Sequence, residues 1–223
     1  MFQKLTANGA QGSLYQNIRP VPNNSPVTSL SSNDLRCNVG GTSGSGTTTV
    51  SVAAGSSITF TADQAVYHQG PVSLYVSPTI DLVTTLRNVW KLTVYHSYLT
   101  KTSSAAAADG SSDWFKIKEI GPKFSGSSSS WDLKTSYDVT LPSCLAPGEY
   151  LARIEQLAIH NPGSPPQFYI SCAQIKVTGS GSKTFSGVKI PGHVKSTDSG
   201  YTANIYSPSF TSYVVPGPAP VSC

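Results

Sequence analysis

The chain has 223 residues, of which only 12% are charged and 9% are aromatic. Its 11 tyrosines, 7 phenylalanines and 3 tryptophans can anchor a packed core, so the composition excludes a coiled coil and a charge-driven disordered protein. The net charge is +4 and the basic residues are scattered, so we expect no nucleic-acid partner. No run of about 18 uncharged apolar residues occurs, so we expect no membrane partner either.

Short runs of alternating apolar and polar residues recur between turn residues along the chain. In chain order, they cover 47–52, 57–61, 72–76, 137–141, 148–155 and 167–177. A period of two with frequent turns predicts an all-β fold, an antiparallel β-sandwich of immunoglobulin or fibronectin type with long loops. We expect one domain over 1–223, with surface loops at 40–49 and at the serine run 125–130.

One segment, 79–101, does not follow this alternation. It is rich in apolar residues and lies before the alanine- and serine-rich loop 103–112. We interpret it as an atypical insertion, and two origins stay open. It is either translated intron sequence or a genuine insertion in a surface loop, which a fold tolerates at small cost. His96, within the segment, is expected to be exposed.

The chain contains four cysteines, Cys37, Cys144, Cys172 and Cys223, and none is close to another in sequence. Their spacing is not that of a zinc ribbon or a redox dithiol. An even number of separated cysteines in a chain rich in Ser, Thr and Gly predicts two long-range disulfides in a secreted, extracellular protein. The alternative that stays open is four buried free thiols in a cytosolic protein. Spacing alone leaves all three pairings open.

Common hydrolase and nucleotide-binding motifs are absent: there is no Gly-x-Ser-x-Gly, no Walker loop, no dinucleotide fingerprint and no His-Glu-x-x-His. The carboxylates in strand-like runs show no spacing that indicates a glycosidase pair. These carboxylates are Asp132, Asp138, Glu149 and Glu155.

The remaining candidates for a functional site are histidines near the ends of predicted strands. His68 precedes a turn into a strand, and His160 ends a strand-like run. Gln167 and Tyr169 follow on the longest predicted strand and, two residues apart, share a face. If the sandwich brings these groups together, they suit copper, iron, nickel or zinc. The alternative stays open that His68 is an ordinary surface residue and Tyr169 a sheet aromatic.

Beyond these residues, the chain resembles the fungal lytic polysaccharide monooxygenases of auxiliary-activity family 9, formerly glycoside hydrolase family 61. The most specific similarity lies in Arg-Ile-Glu-Gln-Leu-Ala-Ile-His at 153–160 and Gln-Phe-Tyr-Ile-Ser-Cys at 167–172. His-Gln-Gly-Pro-Val at 68–72 and Phe-Gln-Lys-Leu at 2–5 also match. The resemblance covers nearly the whole chain outside 79–101.

The resemblance implies one copper ion on a flat face of the sandwich. In the family, an N-terminal His binds copper through its amine and its side chain, together with a second His and an axial Tyr. Carried over to this chain, the metal ligands are His68 and Tyr169. His160 and Gln167 stand beside them, so the implied catalytic residues are His160, Gln167 and Tyr169. His193, in a Pro-Gly-His turn, is expected on a surface loop.

The resemblance also implies the activity, which is oxidative cleavage of cellulose or related β-1,4-glucans. The implied partners are the glucan, an external electron donor, and oxygen or hydrogen peroxide, and we expect a monomer. Tyr213 resembles an aromatic residue that lies on the substrate, where a ring can cover the apolar face of a sugar. The implied disulfides are Cys37–Cys172 and Cys144–Cys223.

The chain departs from the family at its start. Met1 directly precedes Phe2, and the N-terminal His that family members carry a few residues before this point is missing. One explanation is an incomplete gene model. The other is genuine loss of the site, which makes the alternative function a non-catalytic β-sandwich that binds polysaccharide.

Overall fold

The computed structural model describes residues 1–79, 104–126 and 128–223. The proposed insertion 79–101, apart from Thr79, and His96 lie outside the described residues. The strands are β1 Phe2–Ala7, β2 Ala10–Gln11, β3 Val50–Ala53, β4 Ser57–Ala62, β5 Val72–Pro78, β6 Phe115–Ile120, β7 Lys123–Ser125, β8 Ser128–Ser130, β9 Ser136–Thr140, β10 Gly148–Ala158 and β11 Gln167–Thr178. A 3-10 turn spans Asn33–Leu35. The described residues contain no helix long and apolar enough to cross a membrane.

The strands form a β-sandwich, as the alternating runs predict. One sheet has the order β2-β1-β4-β9 and the other β3-β11-β10-β5-β6. Among the strands of the described residues, all pairs are antiparallel except β3 with β11, which is parallel. A parallel pair cannot be joined by a tight turn, and here β4 to β10 lie between β3 and β11 in the chain. The prediction of a loop at 125–130 was wrong in part, because β7 and β8 pair there as a hairpin.

The main core lies between the two sheets. Leu5 and Phe60 come from the smaller sheet, while Leu74, Ile154 and Ile175 come from the larger one. All five are at most 1% exposed. Because successive strand residues point to opposite faces, the neighbours of Leu74, Ile154 and Ile175 lie on the outer face of the larger sheet.

That outer face is also covered, because the loops of the C-terminal part pack on it. Tyr75 and Leu151 from the sheet join Trp114, Ile190 and Val194 in a second core. The middle of β5 and of β10 is therefore buried on both faces, which explains their nearly continuous burial. This packing fixes the C-terminal loops, including the tyrosines they carry, against the sheet.

Two disulfides connect distant parts of the chain. Cys37 bonds to Cys172 with a Cα–Cα distance of 5.2 Å, and Cys144 bonds to Cys223 with a Cα–Cα distance of 5.8 Å. This is the pairing that the family resemblance implies. The first disulfide joins the loop after the 3-10 turn to the middle of β11, inside the second core.

We expect the double substitution Cys37→Ala and Cys172→Ala to lower the free energy of unfolding by about 2–5 kcal/mol, because the bond closes a long loop in the unfolded chain. Urea denaturation followed by tryptophan fluorescence measures the change. The pair Cys144→Ala and Cys223→Ala is the matched control near the C-terminus, where a smaller loss is expected because Cys223 is an exposed end of the chain. Equal stability of the Cys37/Cys172 variant and the wild type would contradict this assignment.

The second core also holds a buried charged cluster of Arg153, Glu155 and His193. Glu155 Oε2 lies 2.5 Å from Arg153 Nη2 and 2.9 Å from His193 Nε2. The expectation of a surface position for His193 was wrong, because the residue is only 6% exposed. Its turn is folded back onto the sheet, where the Glu155 carboxylate provides a partner for the imidazole.

Candidate metal centre

The long hairpin of β10 and β11 places the polar residues of the candidate site on one face. Its register sets Gln156 opposite Tyr169 and Ala158 opposite Gln167. Residues directly opposite each other point to the same side of a sheet, as do residues two apart on one strand. Gln156, Gln167 and Tyr169 therefore share a face at the end of the sheet, and His160 follows two residues after β10 ends.

His68 reaches the same place from the loop between β4 and β5. The main-chain N–H of Ile159 donates to Gln69 O at 2.9 Å, and that of Leu157 donates to Pro71 O at 3.0 Å. Between these bonds lies Gly70, where an added Cβ would lie 1.8 Å from Leu157 O. Only glycine allows the loop to approach β10 this closely. The His-Gln-Gly-Pro sequence thus holds the His68 loop on the sheet.

The four polar residues predicted for the site come together in the structure. The rings of His68 and His160 stack with centroids 4.1 Å apart and an interplanar angle of 17°. The rings of His68 and Tyr169 lie 5.4 Å apart at 20°. The Tyr169 hydroxyl donates to Gln167 Oε1 at 3.0 Å. Two imidazoles, a phenol and an amide therefore form one contiguous cluster.

The surroundings favour the neutral forms of the ring groups. Partial burial, and then the nearby His160, lower the pKa of His68, so its imidazole is neutral near pH 7 and keeps a lone pair for a metal. Burial, and then Tyr67, raise the pKa of the Tyr169 phenol, which stays protonated. His160 Nδ1 is buried and has no hydrogen-bond partner among the described residues.

A small cavity of about 50 Å³ lies beside the cluster, lined by Met1, Gln156, His68 and Tyr169 among others. The Met1 amine forms an ion pair with Asp63 at 2.5 Å. Within residues 1–79, 104–126 and 128–223, no three His, Cys, Asp or Glu side chains lie close enough together to hold a metal. Imidazole and phenol are suitable copper donors, so the residues fit the ion in type. Among the nitrogen ligands that the family resemblance implies, the cluster provides the His68 imidazole.

Two exposed tyrosines lie beside the cluster, and no local sequence pattern predicts a role for either. The Tyr67 ring lies 4.1 Å from the His68 ring, centroid to centroid. The Tyr206 hydroxyl donates to His160 O at 3.0 Å and to Gln69 Oε1 at 3.2 Å. Tyr67 is 63% exposed and Tyr206 is 61% exposed. A large exposed aromatic side chain beside a polar cluster indicates a binding surface, and this feature is visible in the structure.

Tyr213, the predicted substrate-binding residue, is packed differently. It is half-buried, and its hydroxyl donates to Gly200 O at 2.8 Å. Its ring packs edge-on against Trp131, with centroids 5.4 Å apart, and against Phe210. Burial raises the pKa of Tyr213 far above the ordinary phenol value. Its contact with substrate stays a prediction.

Comparison with known proteins identifies the family. The sequence model of Auxiliary Activity family 9 (formerly GH61) matches residues 1–92 and 88–213. The chain therefore belongs to this family. Its named relatives are lytic polysaccharide monooxygenases. Membership of this family supports the interpretation that the chain is an enzyme of copper-dependent polysaccharide oxidation.

The chain is 53% identical over 226 residues to the AA9 family lytic polysaccharide monooxygenase E of Podospora anserina, covering 100% of the chain and 69% of that protein. It is 48% identical to the AA9 family lytic polysaccharide monooxygenase A of Botryotinia fuckeliana, covering 98% of the chain but only 62% of that protein's length. Among solved structures, a cellulose-active polysaccharide monooxygenase from M. thermophila matches with a TM-score of 0.78 and 29% identity, covering 99% and 98% of the two chains.

Proposed function

We propose that this protein is a secreted, copper-dependent lytic polysaccharide monooxygenase that cleaves cellulose or a related β-1,4-glucan. The observation that carries the proposal is the cluster of His68, His160, Gln167 and Tyr169 in a chain of this family. Two long-range disulfides support secretion, because such bonds persist in oxidising compartments. One relative in structure is described as cellulose-active, which favours the same substrate class here.

In this proposal, His68 and Tyr169 hold the copper ion, the first with its imidazole and the second with its phenol. Copper bound there would supply one-electron redox chemistry, with which an external electron donor and oxygen or peroxide could oxidise C1 or C4 of the glucan. Gln167 Oε1 accepts a hydrogen bond from the Tyr169 hydroxyl, which orients the phenol and turns the amide NH₂ away from it as a donor. His160, stacked on His68, offers its unpaired Nδ1 as a further hydrogen-bonding group.

The substrate would lie across the tyrosines beside the cluster. Tyr67 stands next to His68, and the Tyr206 hydroxyl is hydrogen-bonded to the main-chain oxygen of His160, so both exposed tyrosines lie beside the candidate copper site. An aromatic ring covers the apolar face of a sugar, and two such rings can hold a glucan over the site. The external electron donor and oxygen or peroxide would approach the same open face. We propose that the protein acts as a monomer.

The test uses the protein as it is secreted, with its N-terminus determined by sequencing. Loaded with copper and incubated with cellulose, ascorbate and oxygen, it is expected to release aldonic acids or 4-keto sugars, detected by mass spectrometry. Omitting the reductant is the control, since only the oxidative reaction needs it. A protein that starts with His, binds copper and yields no oxidised products from cellulose or other β-1,4-glucans would overturn the proposal. Glucan binding with no oxidation and no copper affinity would favour the alternative of a non-catalytic polysaccharide-binding sandwich.

A further inference from the structure

Gln156 is a buried amide that connects the two elements carrying the candidate copper ligands. It lies on β10 directly opposite Tyr169 of β11, and it is 2% exposed. Its Nε2 donates a hydrogen bond to the main-chain oxygen of His68 at 3.1 Å. It also lines the small cavity that His68 and Tyr169 line. The Gln156 side chain therefore contacts the His68 loop, while its strand position is directly opposite Tyr169.

This contact is placed where the main-chain ladder ends. The pairing of β5 with β10 runs as far as Val72 opposite Gln156. Beyond it, the main-chain N–H of Leu157 donates to Pro71 O, and that of Ile159, just after β10, donates to Gln69 O. The carbonyl of His68 receives its hydrogen bond from the Gln156 side chain instead. The Gln156 side chain thus extends the attachment of this loop by one residue, to the His68 carbonyl itself.

We propose that Gln156 is a positioning residue of the copper site, setting the distance between the His68 imidazole and the Tyr169 phenol. The inference rests on the proposed function, because it needs His68 and Tyr169 to hold copper. Gln156 itself touches neither the metal nor the substrate. It acts through the His68 main chain, since a shift of that carbonyl moves the imidazole relative to β11. Residues behind metal ligands commonly affect metal affinity in this way.

A purely structural amide would behave differently. It would satisfy a buried carbonyl and contribute to stability, but its loss would leave the bound metal unchanged in affinity and spectrum. The chain offers a matched residue for this comparison. Gln174 lies on β11 and is 0% exposed, and its Nε2 donates to Thr47 O at 2.7 Å. It also accepts a hydrogen bond from Arg19, away from the candidate site.

The test compares Gln156→Met with Gln174→Met in the full chain bearing its secreted N-terminus. Methionine keeps the approximate length of glutamine and removes the donor. We measure the copper(II) dissociation constant by calorimetric titration, the paramagnetic resonance spectrum of the copper(II) form, and the thermal midpoint of the metal-free protein. Gln156→Met is expected to weaken copper binding by about 10–100-fold and to change the spectrum. Gln174→Met is expected to lower the thermal midpoint and to keep both copper readouts at wild-type values.

Gln156→Asn provides a second variant in case the methionine variant does not fold. Asparagine keeps the amide but is one methylene shorter, so it loses the reach to the His68 carbonyl and should also weaken copper binding. Wild-type affinity and spectrum in a folded Gln156 variant would overturn the positioning role while leaving the proposed function intact. A wild-type protein that begins with His and binds no copper would overturn both. The two failures are therefore distinguishable.

Discussion

Replacing Glu155 by Gln is expected to lower the free energy of unfolding by about 3–5 kcal/mol at pH 7, because it leaves the Arg153 guanidinium buried without a counter-charge. Arg153 is 0% exposed and Glu155 is 3% exposed, so water cannot compensate for the lost carboxylate. The Arg153 main chain belongs to β10, and its side chain also donates to Leu35 O. Losing the anion therefore weakens the attachment of the loops that cover the outer face.

The pH dependence of stability provides a second test of the role of Glu155. Burial alone would raise the pKa of Glu155, but Arg153 and then His193 outweigh it and lower the pKa to about 2 from the ordinary 4.5. A carboxyl whose pKa is depressed in the folded state contributes stability above its unfolded pKa and loses it as the pH falls. We therefore expect the free energy of unfolding of the wild type to fall between about pH 4.5 and pH 2. The difference in free energy of unfolding between the wild type and Glu155→Gln should become smaller over the same range.

Asp113→Asn provides the matched control for this prediction. Asp113 pairs with Lys189 at 2.7 Å, but the two side chains are 53% and 64% exposed. An exposed ion pair contributes about 0–1 kcal/mol, so the control variant should unfold close to the wild type. Urea unfolding at several pH values measures all three proteins. A Glu155→Gln variant as stable as Asp113→Asn at pH 7 would show that the cluster does not support the fold.

The strands that the sequence predicts are those with a clear period of two. β4 and β9 show this most plainly, because their apolar residues alternate along the strand and are the buried ones. The run at 148–155 also predicts β10, although burial in β10 is nearly continuous because loops cover its outer face. β7 and β8 escape prediction because serine offers no apolar alternation and usually indicates a loop. The parallel pairing of β3 also escapes, since strand direction depends on how a long connection folds.

The same limit applies to the side chains of the site. His68, His160, Gln167 and Tyr169 can be chosen through the family resemblance, and local spacing alone would put only Gln167 and Tyr169 on one face. His193 looks like a turn residue because its partner, Glu155, lies 38 positions away in sequence. Tyr206 gains its position from a loop that reaches His160 only in the folded chain. Long-range contacts of this kind leave no local pattern.

The largest effect on metal binding is expected from His68→Ala, which should weaken copper binding by more than about 100-fold. Loss of a residue behind a ligand already costs about 10–100-fold, and His68 is the imidazole ligand itself in the proposed site. The fold should persist with a loss of about 1 kcal/mol or less, because His68 lies half-buried on a loop and its main interactions are ring contacts with Tyr67, His160 and Tyr169.

His193→Ala is the matched control, because it removes an imidazole from the other side of the sheet. His193 Nε2 contacts Glu155 in the buried cluster, so its loss should lower the thermal midpoint and leave copper affinity unchanged. Calorimetric copper titration and thermal unfolding of both variants, each with the secreted N-terminus, separate the two roles. Unchanged copper affinity in His68→Ala would exclude it as a ligand. The opposite pattern, in which His193→Ala loses copper binding, would move the metal from the open face to the loop-covered side of the sheet.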